Sequence, residues 1–463
     1  MRSAVGRYSD HRHPGGMHRG ERKGGAMRMI HGRMRSSAGR LAKASLAAAA
    51  LAAGVLTLGA GTDGAGAATS SAPGVTANSI TVGTISTQTG PISANFASLI
   101  YGEKAYFDYI NAQGGINGRK IDLKYTLDDG GNPSTFTQLA KTLVLQDHVF
   151  AVTGVATAFF TPNIFVEAGI PTYGYNVTEN WNGPSNLFAA GGSVIYLPAG
   201  APGFAYVVDQ THAKKLAVVA YGIASSAASC QSDANILSKD GYDVVYTDYN
   251  IAYPGTTVGV DVQRMKQAGA DFVLSCMDVQ GNVTMARAIK QYGGGITQLW
   301  LNGNDQQTLN QNESLMQGIY FYVAHVPFIA PTSEYPGLKL YITEMKKYEP
   351  AYVDDEVAIQ GWESAALFAQ GVKMAGSNLT QANVIKQTNT LTDFTAGGLT
   401  VPTNWTTGHT GHKPPYCGAY IRAVGDKYEP ALNTSKKSVF VCFGSINANH
   451  PKPESLPPGT PNG

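Results

Sequence analysis

The signatures of common enzymes are missing from this chain. It has no Gly-x-Ser-x-Gly elbow, no His-Glu-x-x-His pair and no phosphate-binding Walker loop, which leaves the usual hydrolase, metalloprotease and nucleotidase readings without their starting residues. Charged side chains are scarce at 14 % of 463 residues, and Gly, Ser, Thr, Asn and Gln cover the surface instead, as suits an exported protein. Cysteine is limited to Cys230, Cys276, Cys417 and Cys442. No Cys-x-x-Cys or His-x₃-His spacing accompanies them, so neither a metal nor a cofactor is expected. An even count in an exported chain favours two disulfides, with three pairings open. His409 and His412, flanked by Thr, Gly and Pro, read as a polar loop, with metal ligation as the weaker alternative.

Positive charge is concentrated at one end. Residues 1–68 hold eleven of the 34 Lys and Arg but only three of the 32 acids, so the rest has 23 bases, 29 acids and a net charge of −6. After the basic stretch comes the Ala- and Leu-rich run 41–61, then the small residues Ala65-Gly66-Ala67. This pattern predicts a secretory signal cleaved near Ala67 or Ala68, a retained membrane anchor being the alternative because the run approaches the ~20 residues of a span. The basicity then belongs to the leader and gives no ground for nucleic-acid binding, which needs Lys and Arg clustered on a face.

Nearly 400 residues after the leader exceed what one hydrophobic core usually supports, so two lobes are expected. From Ile80 to about Ala190 strand and helix patterns alternate, and a similar run begins after Tyr196. Gly241, Gly269 and Gly293 each end a helical pattern just before a strand. Long helical patterns return over 335–348, 357–375 and 380–390. A hairpin of 416–424 and 439–443 is expected to turn at Gly425-Asp426, and the Pro- and Gly-rich tail 447–463 is expected to be disordered.

The most informative segment is 80–123. Ile80, Val82 and Ile85 make a β-branched strand, Thr89-Gly90-Pro91 a turn, and residues 94–111 a helix stopped by Gly114-Gly115. A second strand starts near Lys120. Thr89-Gly90-Pro91 together with the run Ile110-Asn111-Ala112-Gln113-Gly114-Gly115-Ile116-Asn117-Gly118-Arg119-Lys120 resembles the type I periplasmic binding proteins, in their branched-chain amino-acid group. The resemblance covers roughly 78–445 and is strongest at the start. It implies an α/β fold of two similar lobes, each an open, mostly parallel sheet flanked by helices, joined by three hinge crossings near 192–196, 324–328 and 397–403. The implied order is lobe 1 over 69–193 and 326–399, and lobe 2 over 194–325 and 400–446. Pairing Cys230 with Cys276 and Cys417 with Cys442 then keeps each bridge inside one lobe.

The same resemblance places the ligand between the lobes, on strand-end turns where unpaired N–H groups gather. Asn95 and Phe96 would wall the first lobe. Thr157, Ala158, Phe159 and Thr161 occupy the carboxylate-binding turn, with Ala158 where the family places a serine; Thr161 is open between that role and capping a helix as its N-cap. Val177 and Thr178 fall on further contacts. In the second lobe Ser225 and Asp278 stand where the family often has aromatic contacts, and Tyr221 sits a turn away. The acidic partner for an ammonium group is sought at Asn304 and Asp305, the latter open between that role and facing solvent. The chain is thus expected to be a monomeric, exported, non-enzymatic binder of a small amino-acid-like solute, amide or organic acid, serving a membrane ABC permease. An extracellular sensor using the same cleft, or a secreted hydrolase, is the alternative.

Overall fold

The structure, a computed structural model, describes residues 72–192, 197–409, 415–432 and 438–462. The leader and its cleavage site, and the crossing residues 193–196, lie outside the described residues.

The β-branched run after the leader forms the centre of a sheet. β1 (Ser79–Ser86) lies parallel between β2 (Lys120–Asp128) and β3 (Ala151–Val155), and β4 (Thr172–Gly174) and β5 (Leu187–Phe188) continue the order β2-β1-β3-β4-β5. Helices α1 (Leu99–Ala112), α2 (Pro133–Leu145) and α3 (Asn163–Glu167) make the connections. Ile80, Val82 and Ile85 are wholly buried, as central strands of a sheet covered on both faces require.

A second sheet follows with the order β12-β11-β10-β9-β8-β6-β7, and β13 also pairs with β11. Its parallel part comprises β6 (Lys215–Tyr221), β7 (Asp243–Ile251), β8 (Phe272–Cys276), β9 (Thr297–Trp300) and β10 (Tyr320–Val323). Around them in chain order run α4 (Ala201–Thr211), α5 (Ala224–Lys239), α6 (Val258–Ala268), α7 (Val279–Ala288) and α8 (Gln306–Met316). Antiparallel β11 (Tyr416–Val424), β12 (Lys427–Pro430) and β13 (Phe440–Phe443) complete the edge.

Between these sections α9 (Pro336–Tyr348), α10 (Glu356–Ala375) and α11 (Gln381–Thr388) return to the first sheet, where α10 packs along α1 and against β3 and β4. Two glycines set that approach. A Cβ on Gly361 would lie 1.9 Å from the Leu99 carbonyl oxygen, and one on Gly102 1.7 Å from that of Ala358, so the two backbones touch where a side chain would part them. The chain passes between the sheets three times, giving the expected two lobes, each an open, mostly parallel sheet flanked by helices.

Both disulfides join the expected cysteines, and both lie in the second lobe. Cys230 of α5 bridges to Cys276 at the end of β8, and Cys417 of β11 faces Cys442 of β13 in antiparallel register.

Several expectations need correction. The first helix starts at Leu99, and Asn95 sits in a short 3₁₀ turn before it. Thr161 does not cap α3: Pro162 holds that position, while the Thr161 hydroxyl meets Thr137 Oγ1 at 3.1 Å. Helix α8 escaped prediction because its sequence, QQTLNQNESLM, buries only Leu309 and Met316 and shows no apolar stripe. The Gly425-Asp426 turn leads into β12, which was not expected, and β13 pairs with the first half of β11. The tail expected to be disordered is held by contacts: Ala448 N–H donates to Asp240 Oδ2 at 2.7 Å, Glu454 N–H to Cys442 O at 2.8 Å, and Ser438 Oγ to Pro461 O at 3.0 Å. Its prolines lack N–H donors, yet they leave carbonyls and rings that pack without regular structure.

Candidate functional site

A cleft of about 1800 Å³ opens between the lobes. Of the residues expected at the site, Asn95, Phe96, Ala158, Phe159, Val177, Thr178, Tyr221, Ser225, Asp278 and Asp305 line it. Thr157, Thr161 and Asn304 do not belong to that lining, and each has other work. Thr157 Oγ1 donates to Asp129 Oδ2 at 2.6 Å and accepts from Phe159 N–H at 3.1 Å. With Thr87, which donates to Asp129 Oδ1 at 2.7 Å, it ties the turns after β1, β2 and β3 together. Asn304 is buried, with Nδ2 3.2 Å from His325 Nε2. Burial lowers the His325 pKa to about 3, so that imidazole is neutral.

The turn expected to take a carboxylate is therefore short of free donors. Its Thr157 hydroxyl and Phe159 N–H satisfy each other, Thr161 faces α2, and Ala158 offers only its main-chain N–H. Thr178 stands apart, with an Oγ1 that is buried and has no partner.

Asp278 is the N-cap of α7. Its Oδ1 accepts from Gly281 N–H and from Tyr221 Oη, both at 2.8 Å, and its Oδ2 accepts from Asn95 Nδ2 of the opposite lobe at 3.1 Å. Asp305 caps α8 in the same way, through Thr308 N–H. An Asp at a helix start satisfies an orphan N–H and meets the positive end of the helix dipole, which fixes both carboxylates without a cation.

Two more contacts cross the cleft. Tyr253 Oη donates to Pro91 O at 2.7 Å. Glu356, at the start of α10, accepts from Gly303 N–H at 2.6 Å and Asn304 N–H at 3.1 Å, all through Oε2. Burial pushes its carboxyl up to about 7 although those two N–H bonds pull the other way, and neighbouring Asp355 and Asp305 add to the rise.

Glu356 belongs to a group that sequence reasoning missed. Glu356, Gln360 and Glu363 follow one another at i, i+4 and i+7 along α10, and all three line the cleft. That polar stripe on a helix whose other positions are mostly buried was the signal available. Glu363 is 1 % exposed, its Oε1 has no partner, and burial raises its pKa to about 8. Tyr175, near both carboxylates, has its own pKa raised, first by burial and then by Glu356 and Glu363. The remaining pair of candidate histidines gives little. His409 Nε2 lies 2.7 Å from Asn389 Oδ1 and its ring packs on Phe188 and Trp405; His412 is outside the described residues.

Two α/β lobes, three connections and a polar cleft bridged from both sides define a class of solute receptors that close on what they bind. The sequence profile of the Periplasmic binding protein family matches residues 79–427, three quarters of the chain, and the chain belongs to that family. Over 198 residues it is 29 % identical to a Leu/Ile/Val-binding protein homolog 3 of Brucella melitensis biotype 1, a match covering 41 % of this chain and about half, 52 %, of that relative. Among solved structures, the fatty acid ABC transporter substrate-binding protein from Thermomonospora curvata superposes with a TM-score of 0.67 at 18 % identity, over 84 % of this chain and 97 % of that one. A branched chain amino acid ABC transporter protein from Thermus thermophilus with bound valine gives 0.66 at 15 % identity, over 78 % and 97 %. At these identities the structures attest the fold. The relatives are solute-binding proteins, and the family implies an extracytoplasmic location.

Proposed function

We propose that this protein is exported, captures a small molecule between its lobes and hands it unchanged to a membrane ABC permease. The observation that carries the reading is the bridged cleft: Asn95 to Asp278, Tyr253 to Pro91 and Glu356 to Gly303 and Asn304 all join one lobe to the other around it. Such contacts exist only when the lobes are together, so a solute filling the cleft and a closed shape favour each other. The leader 1–68 supplies export, the crossings near 324–328 and 397–403 serve as hinges, and the mature protein acts as a monomer. Amino-acid-like solutes, amides and small organic acids are the candidate ligands, in keeping with relatives named for leucine, valine and fatty acids.

Thermal-shift screening of the mature protein against those classes and against simple amines tests the reading. A true ligand at 100 times its Kd stabilises by about 2.7 kcal/mol. A permease-dependent uptake assay that requires the protein would support delivery. Steady turnover of any panel member, or no stabilisation by any solute, would overturn it.

A further inference from the structure

The charge of the cleft wall is one-sided. Glu179, Asp278, Asp305, Asp355, Glu356 and Glu363 all line it, and no Lys, Arg or His does so among the described residues. Three of these acids are committed to helix starts: Asp278 caps α7, Asp305 caps α8, and Asp355 Oδ1 accepts from Val357 and Ala358 N–H at 2.8 Å each. Glu356 uses only Oε2, on Gly303 and Asn304. Glu363 has no hydrogen-bond partner, and its buried Oε1 is left unsatisfied. Two lining groups that are not acids share this condition: Thr178 Oγ1 and Thr400 Oγ1 are buried without partners, at 8 % and 6 % residue exposure. Unsatisfied buried acceptors are uncommon in native structures and call for an explanation.

We propose that the solute is an organic ammonium ion without a free carboxylate, its charged head received by the Glu356–Gln360–Glu363 face of α10 and its carbon skeleton by the aromatic side chains of the cleft. This rests on the binding-protein reading above and names its ligand class. An ammonium group brings only donors, and this face supplies acceptors: Glu363 Oε1 and Oε2, Glu356 Oε1 and the Gln360 amide oxygen. Phe96, Phe159, Tyr175, Tyr221 and Tyr253 supply apolar surface and ring faces, which attract cations as well as bury carbon. A carboxylate finds the opposite. The turn that would receive it has its Thr157 hydroxyl and Phe159 N–H already paired, which leaves the main-chain N–H of Ala158 with no cation beside it, and the ionised lining carboxylates repel an anion. Burial raises the Glu363 pKa to about 8, and a cation beside it favours the ionised carboxylate.

Calorimetry on the mature protein with matched probes decides the matter. The sets are isopentylamine, leucine and 4-methylpentanoate, and phenethylamine, phenylalanine and 3-phenylpropanoate. At least one amine should bind ten or more times tighter than its amino acid, with the acid undetectable. Glu363→Gln should weaken that amine at least tenfold. Glu103→Gln, a buried acid of α1 outside the cleft lining, should leave it within twofold and so separates site from fold. Tighter binding of an amino acid or acid, or no loss with a folded Glu363→Gln, overturns the ligand class. If the amines fail while another solute stabilises the protein in the wider screen, the ligand class falls and the binding-protein reading stands. If no solute of any class binds, both fall.

Discussion

Asn95 Nδ2 donates to Asp278 Oδ2 at 3.1 Å, joining the wall of one lobe to a helix cap of the other across 183 positions of sequence. One hydrogen bond to a charged group nets about 1.5–3 kcal/mol when buried and less when water reaches it. Asn95→Ala should therefore leave global stability almost unchanged while moving the ligand-free population toward the open shape by about fivefold or more. Small-angle scattering of the free protein would show a larger radius of gyration. Identical profiles for wild type and variant would mean that this contact does not bias closure.

Asp278 has a second duty that Asn95 lacks. Because it caps α7, Asp278→Ala should cost about 1 kcal/mol of stability, whereas Asp278→Asn keeps an N-cap acceptor and should cost a few tenths. Urea denaturation of both variants checks this. Equal losses would assign the effect to the cross-cleft contact or to Tyr221 rather than to the cap.

Glu103 lies buried beneath the first sheet, where burial pushes its carboxyl from 4.5 up to about 8 against the opposing hydroxyls of Thr153 and Thr84. The folded state holds this proton over a range in which the unfolded chain has lost it. Its contribution to stability is thus complete below about pH 4.5, declines as pH rises, and is gone by the folded value near 8, with a slope of at most about 1.4 kcal/mol per pH unit. Glu103→Gln should flatten this fall and make the variant the more stable protein at pH 9. Melting temperatures across pH 4–9 test it, and parallel curves would contradict it.

The two disulfides close loops of 46 and 25 residues. Loop-closure entropy puts their worth at about 4 and 3.5 kcal/mol, less any relaxation of the native state. Replacing Cys230 and Cys276 together by Ala should destabilise more than replacing Cys417 and Cys442, and denaturant midpoints in oxidising buffer rank them. The reverse order would show that local packing, not loop length, dominates.

Gly361→Ala should cost about 1–3 kcal/mol or more, because its methyl group meets the Leu99 backbone rather than a side chain that can turn away. Gly376→Ala, at the C-terminus of the same helix with open space around it, is the comparison for a purely conformational cost at positive φ. If the two variants lose equal stability, the contact between α1 and α10 is looser than described.

Much of the architecture was legible because it rests on local rules. The alternation of β-branched strands and amphipathic helices gave both sheets, and the Gly114-Gly115 stop ended α1 close to where it ends. Helix α8 was not legible, since its start depends on one cap and its burial on two residues. Ten of the thirteen residues expected at the site line the cleft. What sequence position could not say is which hydroxyls remain available. Thr157 looks like a ligand contact in sequence, and only the fold brings Asp129 to it from 28 residues away. The α10 stripe was visible as Glu356, Gln360 and Glu363, but a polar stripe marks a site only when a cavity faces it.

The three bridges across the cleft also bear on how fast solute can enter. At about 1 kcal/mol each they hold the lobes together by about 3 kcal/mol, so parting becomes on the order of a hundredfold rarer than in a protein without them. Capture is then gated: a solute waits for the protein to part, and the observed association rate levels off with rising concentration at the frequency of parting. Stopped-flow mixing should show that plateau, and Asn95→Ala should raise it; a rate climbing linearly toward the diffusion limit would mean the doorway stands open.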